Sequence, residues 1–301
     1  MNTTLGRPGS LGVVSFLEGP AALADGRVFV SDIRANRIYC WTAERQLEVF
    51  RDDAGRANGN IVTAAGLLYT CEGGEMGPGG RRRIVRTDLA TGSTDVLADT
   101  YEGKRFNSPN DLTVDAEGVV YFTDPRYGSD RSDLELDVEG VYRIGLDGAI
   151  TRILGQDHVQ RPNGIALSPD GRTLYVVDSH PAVGGNRLIL AVPLASDGTV
   201  GEPRTVFDFG RARGGDGLKV DQENRLYVCA GIFQPRSEGE TDEVPPGVYV
   251  LHDDGSVVGH YPVPHDLITN CCFGGDDGRS LFITAGQSVF TVHVDVPGLL
   301  H

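Results

Sequence analysis

The strongest constraint on this chain is a register that recurs six times. Glu18, Asn58, Asn110, Asn163, Asp216 and Asn270 each stand eight residues ahead of a turn residue: Gly26, Gly66, Gly118, Gly171, Asn224 and Gly278 in the same order. Each copy reads as a short apolar strand, a tight turn and a second apolar strand, as in RPNGIALSPDGRTLYVVDS over 161–179. Asn224 is the single departure from Gly, and Asn is the side chain most tolerant of a positive φ. The intervals between lead positions are 40, 52, 53, 53 and 54 residues, so the copies account for nearly all of the 301 residues. Repeats of this length built from four strands are propeller blades. The apolar pattern lacks a 3.6-residue period, which excludes a helical solenoid.

The expected fold is therefore all-β: a six-bladed β-propeller with four-stranded blades, forming a single domain over 1–301. Blade four supplies IALSP, TLYVVD, RLILAVPL and RTVFDF as its strands, and blade five LKVD, RLYVCA, GVYVLH and SVVGHY. The last copy has three strands, ending in SVFTVHVDV over 288–296. The run SLGVVSFL at 10–17 precedes the first copy and is expected to join the last blade as its fourth strand. Closure of that kind removes exposed sheet edges.

Composition narrows the partners. The chain has 27 Lys and Arg against 42 Asp and Glu, a formal charge of −15, and no extended basic patch. That balance argues against nucleic acid and anionic membrane surfaces, which need clustered cations. No run approaches the roughly 18 apolar residues of a membrane helix, and the first residues show no secretory pattern. The five cysteines, Cys40, Cys71, Cys229, Cys271 and Cys272, show neither paired nor zinc-type spacing. Buried thiols in a reducing, cytoplasmic setting are expected. The sequence leaves the oligomeric state open.

In a propeller the first strand of each blade lines the central channel, so the six lead residues should ring one channel mouth. Every one of them carries a side-chain oxygen, and none is apolar or basic. Turn preference explains any single Asn or Asp there, but it explains six in register poorly and Glu18 not at all. Second strands finish at the same mouth in Asp32, Glu72, Asp124 and Asp178, where hydrogen bonding to the backbone of neighbouring blades is the simplest role. Oxygen ligands without His or Cys suit a hard divalent cation, calcium first, with magnesium or manganese behind. Glu18 and Asp216 supply two negative charges to match it.

Glu18-Gly-Pro, Ser108-Pro-Asn-Asp, Asp124-Pro-Arg-Tyr-Gly, Arg161-Pro-Asn-Gly and Gly215-Asp-Gly-Leu, in this order and at blade spacing, resemble the SMP-30/gluconolactonase/luciferin-regenerating-enzyme family. The resemblance covers roughly residues 15 to 295. It implies a six-bladed propeller of divalent-metal lactonases, with metal ligands on Glu18, Asn163 and Asp216. It further implies a metal- and substrate-facing role for Asn110 and a general base at Asp216. Animal members carry an arginine where this chain has Ser108, so Arg126 and Tyr127 are the candidates to replace that substrate contact. Related phosphotriesterases bind a second calcium through an Asp where this chain has Lys219.

The expected activity is hydrolysis of a small-molecule lactone, most simply a sugar lactone, with one divalent cation; zinc remains open beside calcium, magnesium and manganese. Asp216 would activate water and Asn110 would donate a hydrogen bond to the substrate. The alternatives are a phosphotriesterase on the same site and a non-catalytic propeller with a structural metal. The Gly-rich run 73–80 and the insertions 128–139 and 232–246 should cover the mouth. His180 reads as a loop histidine.

Overall fold

In the computed structural model, which describes residues 14–44 and 46–301, six antiparallel sheets radiate around a channel, each a meander in chain order. Blade one comprises Leu17–Ala22, Val28–Asp32, Arg37–Trp41 and Leu47–Arg51. Blade two comprises Ala57–Val62, Leu67–Glu72, Arg83–Asp88 and Thr94–Ala98. Blade three follows as Leu112–Val114, Val120–Asp124, Gly140–Ile144 and Ile150–Leu154. Blade four is Pro162–Leu167, Thr173–Ser179, Arg187–Pro193 and Arg204–Asp208. Blade five is Leu218–Val220, Leu226–Ala230, Gly247–Leu251 and Val257–Pro262. Blade six shows Ile268–Gly274, Ser280–Ala285 and Ser288–His293 among the described residues. The six-bladed β-propeller expected from the repeat is thus the fold. No helix of the described residues is long and apolar enough to cross a membrane.

The turn arithmetic holds at every blade. Gly26, Gly66, Gly118, Gly171 and Gly278 all have positive φ, and Asn224 stands at φ 62° in their place. The apolar runs that alternate in sequence become cores between blades, where faces of adjacent sheets pack. Between blades two and three, for instance, Cys71, Ile84, Leu112, Phe122 and Tyr142 share one cluster, with Phe106 packed edge-on to Phe122 at 5.1 Å. All five cysteines are buried free thiols inside strands.

The run 10–17, expected as the fourth strand of blade six, falls in part outside the described residues. Residues 10–13 lie outside the described residues; Val14, Ser15 and Phe16 are not in a strand, and Leu17 opens the innermost strand of blade one. Among the described residues the start of that strand is tied to blade six. Leu17 N donates to Gly286 O at 2.8 Å, and Thr269 Oγ1 donates to Leu17 O at 2.9 Å. At the far mouth the segment 297–301 lies across the channel: Leu299 N donates to Val220 O at 3.0 Å, and His301 Nδ1 sits 3.0 Å from Val114 O.

At three of the six blade junctions, neighbouring blades are stitched near the axis by the glycine that follows the lead position. Gly59 N donates to Asn110 O at 2.7 Å, Gly164 N to Asp216 O at 3.0 Å and Gly217 N to Thr269 O at 2.7 Å. Glycine is required by space. A Cβ on Gly59 would stand 2.6 Å from Asn110 O, and one on Gly164 would stand 2.8 Å from both Gly217 Cα and Leu218 N. Those neighbours are backbone of an inner strand and cannot rotate away. Gly164→Ala is therefore expected to destabilise the protein by about 1–3 kcal/mol through overpacking. Chemical denaturation should show a lowered midpoint at unchanged slope; an unchanged midpoint would mean that the inner strands can slide apart.

Candidate active site

At the mouth opposite the C-terminal segment, a cavity of about 260 Å³ is lined by Glu18, Asn58, Asn110, Asn163 and Asp216. Five of the six ring positions thus converge. Asn270 sits deeper, where Cys271 N donates to its Oδ1 at 2.9 Å and its Nδ2 donates to Asp111 Oδ2 at 3.2 Å. It belongs to the channel interior rather than to the cavity wall.

The lead side chains owe their positions to the carboxylates that end second strands. Asp124 accepts from Asn107 N at 2.8 Å and Ser108 N at 2.7 Å, the third and second residues before Asn110. Asp178 accepts from Gln160 N at 3.0 Å and Arg161 N at 2.7 Å, at the same offsets from Asn163. Asp32 accepts from Ser15 N at 2.8 Å and Phe16 N at 3.2 Å, again at those offsets from Glu18. These buried groups hold backbone, but that of the segment entering their own blade rather than that of a neighbouring blade, which the sequence suggested, because that segment runs beside the end of the second strand. Glu72 differs, forming an ion pair with Arg83 at 2.6 Å.

Within the cavity the two ring carboxylates are in different electrostatic states. Burial pushes Glu18 well above the ordinary carboxylate range, the charges of Asp216 and Asp111 push it further, and only the Gly19 N–H at 3.0 Å and Asn270 work against that. Burial also raises Asp216, to about 6, against the opposing pull of Arg213 and of Asn163. Arg213 Nη2 lies 2.6 Å from Asp216 Oδ2, and Asn163 Nδ2 lies 2.8 Å from Oδ1. Asn163 Nδ2 also reaches the Tyr127 hydroxyl at 2.9 Å, which uses both amide hydrogens and leaves Oδ1 with free lone pairs.

Of the three arginines on the wall only Arg213 pairs with a ring carboxylate, and with Glu75 and Glu240 the wall carries four carboxylates against three guanidiniums, a balance that fits a cation. Asn58 Oδ1, buried without a hydrogen-bond partner on the same wall, adds an unsatisfied oxygen. Among the described residues no group of three His, Cys, Asp or Glu side chains gathers to hold a metal. A cation here would rest on two carboxylates and amide oxygens, a donor set that suits calcium better than zinc.

The structure separates the two proposed substrate contacts. Tyr127 lines the cavity, its ring beneath the Arg161 guanidinium at 5.4 Å and its hydroxyl 3.3 Å from Ser179 O. Arg126 does not reach the wall. Its guanidinium binds Asp133 at 2.6 Å and the carbonyls of Asn107 and Asp130 at 3.2 Å, so it braces the loop. The Ser108 hydroxyl accepts from Gly74 N at 3.0 Å and anchors the Gly-rich loop. That loop contributes Gly73, Glu75 and Met76 to the wall, and the insertion 232–246 contributes Glu240. The insertion 128–139 contributes nothing to the lining, and His180 lies off the wall with its Nδ1 accepting from Ala182 N. Lys219, buried in the channel, places Nζ 3.4 Å from Asp111 Oδ2 and 3.1 Å from Leu218 O.

Sequence reasoning missed Arg213, Arg187, Arg56 and Asn58's unpaired oxygen as features of the wall. For Arg213 a signal existed: it precedes the lead Asp216 by three residues in a loop rich in glycine.

A six-bladed propeller whose channel mouth gathers two carboxylates and three asparagine amides defines a class of small-molecule site. The profile of the SMP-30/Gluconolactonase/LRE-like region matches residues 16–287, and the chain belongs to that family. A gluconolactonase of Zymomonas mobilis is 33% identical over 312 aligned residues, covering 95% of this chain and 80% of its own. A solved gluconolactonase structure from Xanthomonas campestris superposes with a TM-score of 0.76 at 32% identity, over 95% of this chain and 87% of that one. A luciferin-regenerating enzyme, at 16% identity and a TM-score of 0.74 over 96% and 95% of the two chains, shares the fold.

The carboxylate clamps yield a prediction. Asp178→Ala would leave Gln160 N and Arg161 N without their acceptor and should cost at least about 1–3 kcal/mol in unfolding free energy. Asp178→Asn, which keeps one carbonyl acceptor, should recover part of that loss. Equal midpoints for the alanine variant and the parent protein would remove the clamp from the account.

Proposed function

We propose that this protein is a hydrolase that opens a lactone, a sugar lactone in particular, with a divalent cation held by Glu18, Asn163 and Asp216. Calcium is the first choice of ion. The observation that carries the reading is the convergence of Glu18 and Asp216, with Arg213 the one cation paired to either, in a cavity of small-molecule size. Family membership and the gluconolactonase relatives support the substrate class. The bound cation would supply Lewis acidity toward the lactone carbonyl oxygen and offset the charge that develops there.

The chain's own groups divide the remaining work. Asp216 is held at both oxygens, Oδ2 by Arg213 and Oδ1 by Asn163, so its carboxylate plane is fixed before substrate arrives. It orients the attacking water and takes its proton as the oxygen adds to the carbonyl carbon. The ring C–O bond then breaks, and the released alkoxide takes up a proton to give the hydroxy acid. Asn110, whose side chain reaches the cavity from the start of blade three, donates to the carbonyl or a ring hydroxyl. Tyr127, fixed by Asn163 and Ser179, borders the sugar-binding side. The Lys219 ammonium beside Asp111 disfavours a second calcium in the channel, and with it the phosphotriesterase reading.

Proton release from glucono-1,5-lactone above the spontaneous rate tests the activity. Chelation should abolish it and calcium should restore it. Glu18→Ala should lose activity together with cation binding measured by calorimetry. Asp216→Asn keeps an oxygen ligand but removes the base, so at saturating calcium its rate should stay down by on the order of 10²–10⁴-fold. Near-normal turnover by that variant would reject Asp216 as the base.

A further inference from the structure

Three arginines line the cavity, and their hydrogen bonding differs. The Arg56 guanidinium is taken up by three carbonyls, with Nε 2.8 Å from Pro78 O and Nη1 2.8 Å from both Ile33 O and Arg34 O. Arg213 is paired with Asp216. Arg187 is 3% exposed, yet among the described residues its guanidinium has one hydrogen bond, from Nη1 to Asn186 O at 3.2 Å, and no ion pair. Glu240, on the same wall, accepts from Arg236 N at 3.0 Å and forms no ion pair with Arg187. Burial works against the charged Arg187 and the nearby charge of Glu240 works for it, but a guanidinium buried without an ion pair is costly unless something further compensates it.

The side chain is also built in. Arg187 opens the third strand of blade four, paired with Ser179 at the end of the second. Its stem packs against Gly214, where an added Cβ would stand 2.9 Å from Arg187 Cδ and 3.1 Å from Ser179 Oγ. Asn163 belongs to the first strand of the same blade, so Arg187 lies outward from the reacting centre on one radial line. We propose that Arg187 forms a subsite for a compact oxyanion carried by the substrate away from its lactone carbonyl. A carboxylate or a phosphate fits the planar fork of a guanidinium, which donates two parallel hydrogen bonds to either. The natural substrate is then an acidic lactone, oriented by its anionic end. This inference rests on the lactonase reading for the reaction, but the subsite itself can be tested without turnover.

Calorimetric titration with D-glucose, D-glucuronate and glucose 6-phosphate, in calcium-containing buffer, compares a neutral sugar with its two anionic counterparts. The parent protein should prefer at least one anionic sugar over glucose, and the preferred one identifies the oxyanion. In Arg187→Gln the ratio of neutral to anionic dissociation constants should fall about 10- to 100-fold, as expected for a charged hydrogen bond. Arg187→Lys should retain part of the preference. No preference in the parent protein, or the same ratio in Arg187→Gln, would overturn the subsite. If that variant fails to fold, the parent's preference and Arg187→Lys still decide. The lactonase reading is judged separately, by hydrolysis of glucono-1,5-lactone and a glucarolactone. Anion preference without lactone turnover sinks only that reading, and turnover without anion preference sinks only the subsite.

Discussion

The hydrogen bond from a glycine after three of the ring positions to the next blade sets the geometry of the channel mouth. When Gly164 N donates to Asp216 O, the backbone that carries one ring carboxylate is fixed by the backbone that carries a neighbouring amide. The contact is possible only because a glycine lies there, since a Cβ would meet the adjacent inner strand. The same residues thus close the ring and bring the functional side chains within reach of one another. Stability and site geometry share one cause.

A second layer of constraint comes from Asp32, Asp124 and Asp178. Each grips two amides just ahead of a lead residue, at the same offsets in three blades. Charge-assisted acceptors of this sort are stronger than neutral ones and are hard to shift once buried. Catalytic geometry depends on such preorganisation. Against this rigid backing the loops of the mouth add particular chemistry: Tyr127 from blade three, Arg213 before blade five, and Glu75 and Glu240 on the rim.

Much of this was legible in the chain. The eight-residue spacing from lead to turn required no partner knowledge, because a positive φ is a local demand and Gly or Asn meets it. Blade boundaries followed from the alternation of apolar runs and turns. The convergence of Glu18, Asn58, Asn110, Asn163 and Asp216 followed from the register, because equivalent positions in a cyclic repeat must share one end of the channel. Asn270 obeyed the same register and still left the wall, since Lys219 and Asp111 offered its amide partners deeper in the channel. Arg126 was placed at the correct mouth but turned into its own loop, where Asp133 and two carbonyls compete for it.

What the sequence determined by itself was the periodic part: strand, turn, blade, ring, and the oxygen-rich character of one mouth. Each of those depends on spacing along the chain, and spacing is written in the sequence. Tertiary structure alone decided which charges meet. The Lys219 ammonium beside Asp111 and the unpaired guanidinium of Arg187 among groups of other blades depend on the closed ring, whereas Arg213 meets Asp216 at 2.6 Å within one loop, three residues away. Their rotamers answer to burial and to whichever partner lies within about 4 Å, and at that range electrostatic energy changes steeply with distance and surroundings. No periodicity encodes that choice, so it appears only when the ring has closed.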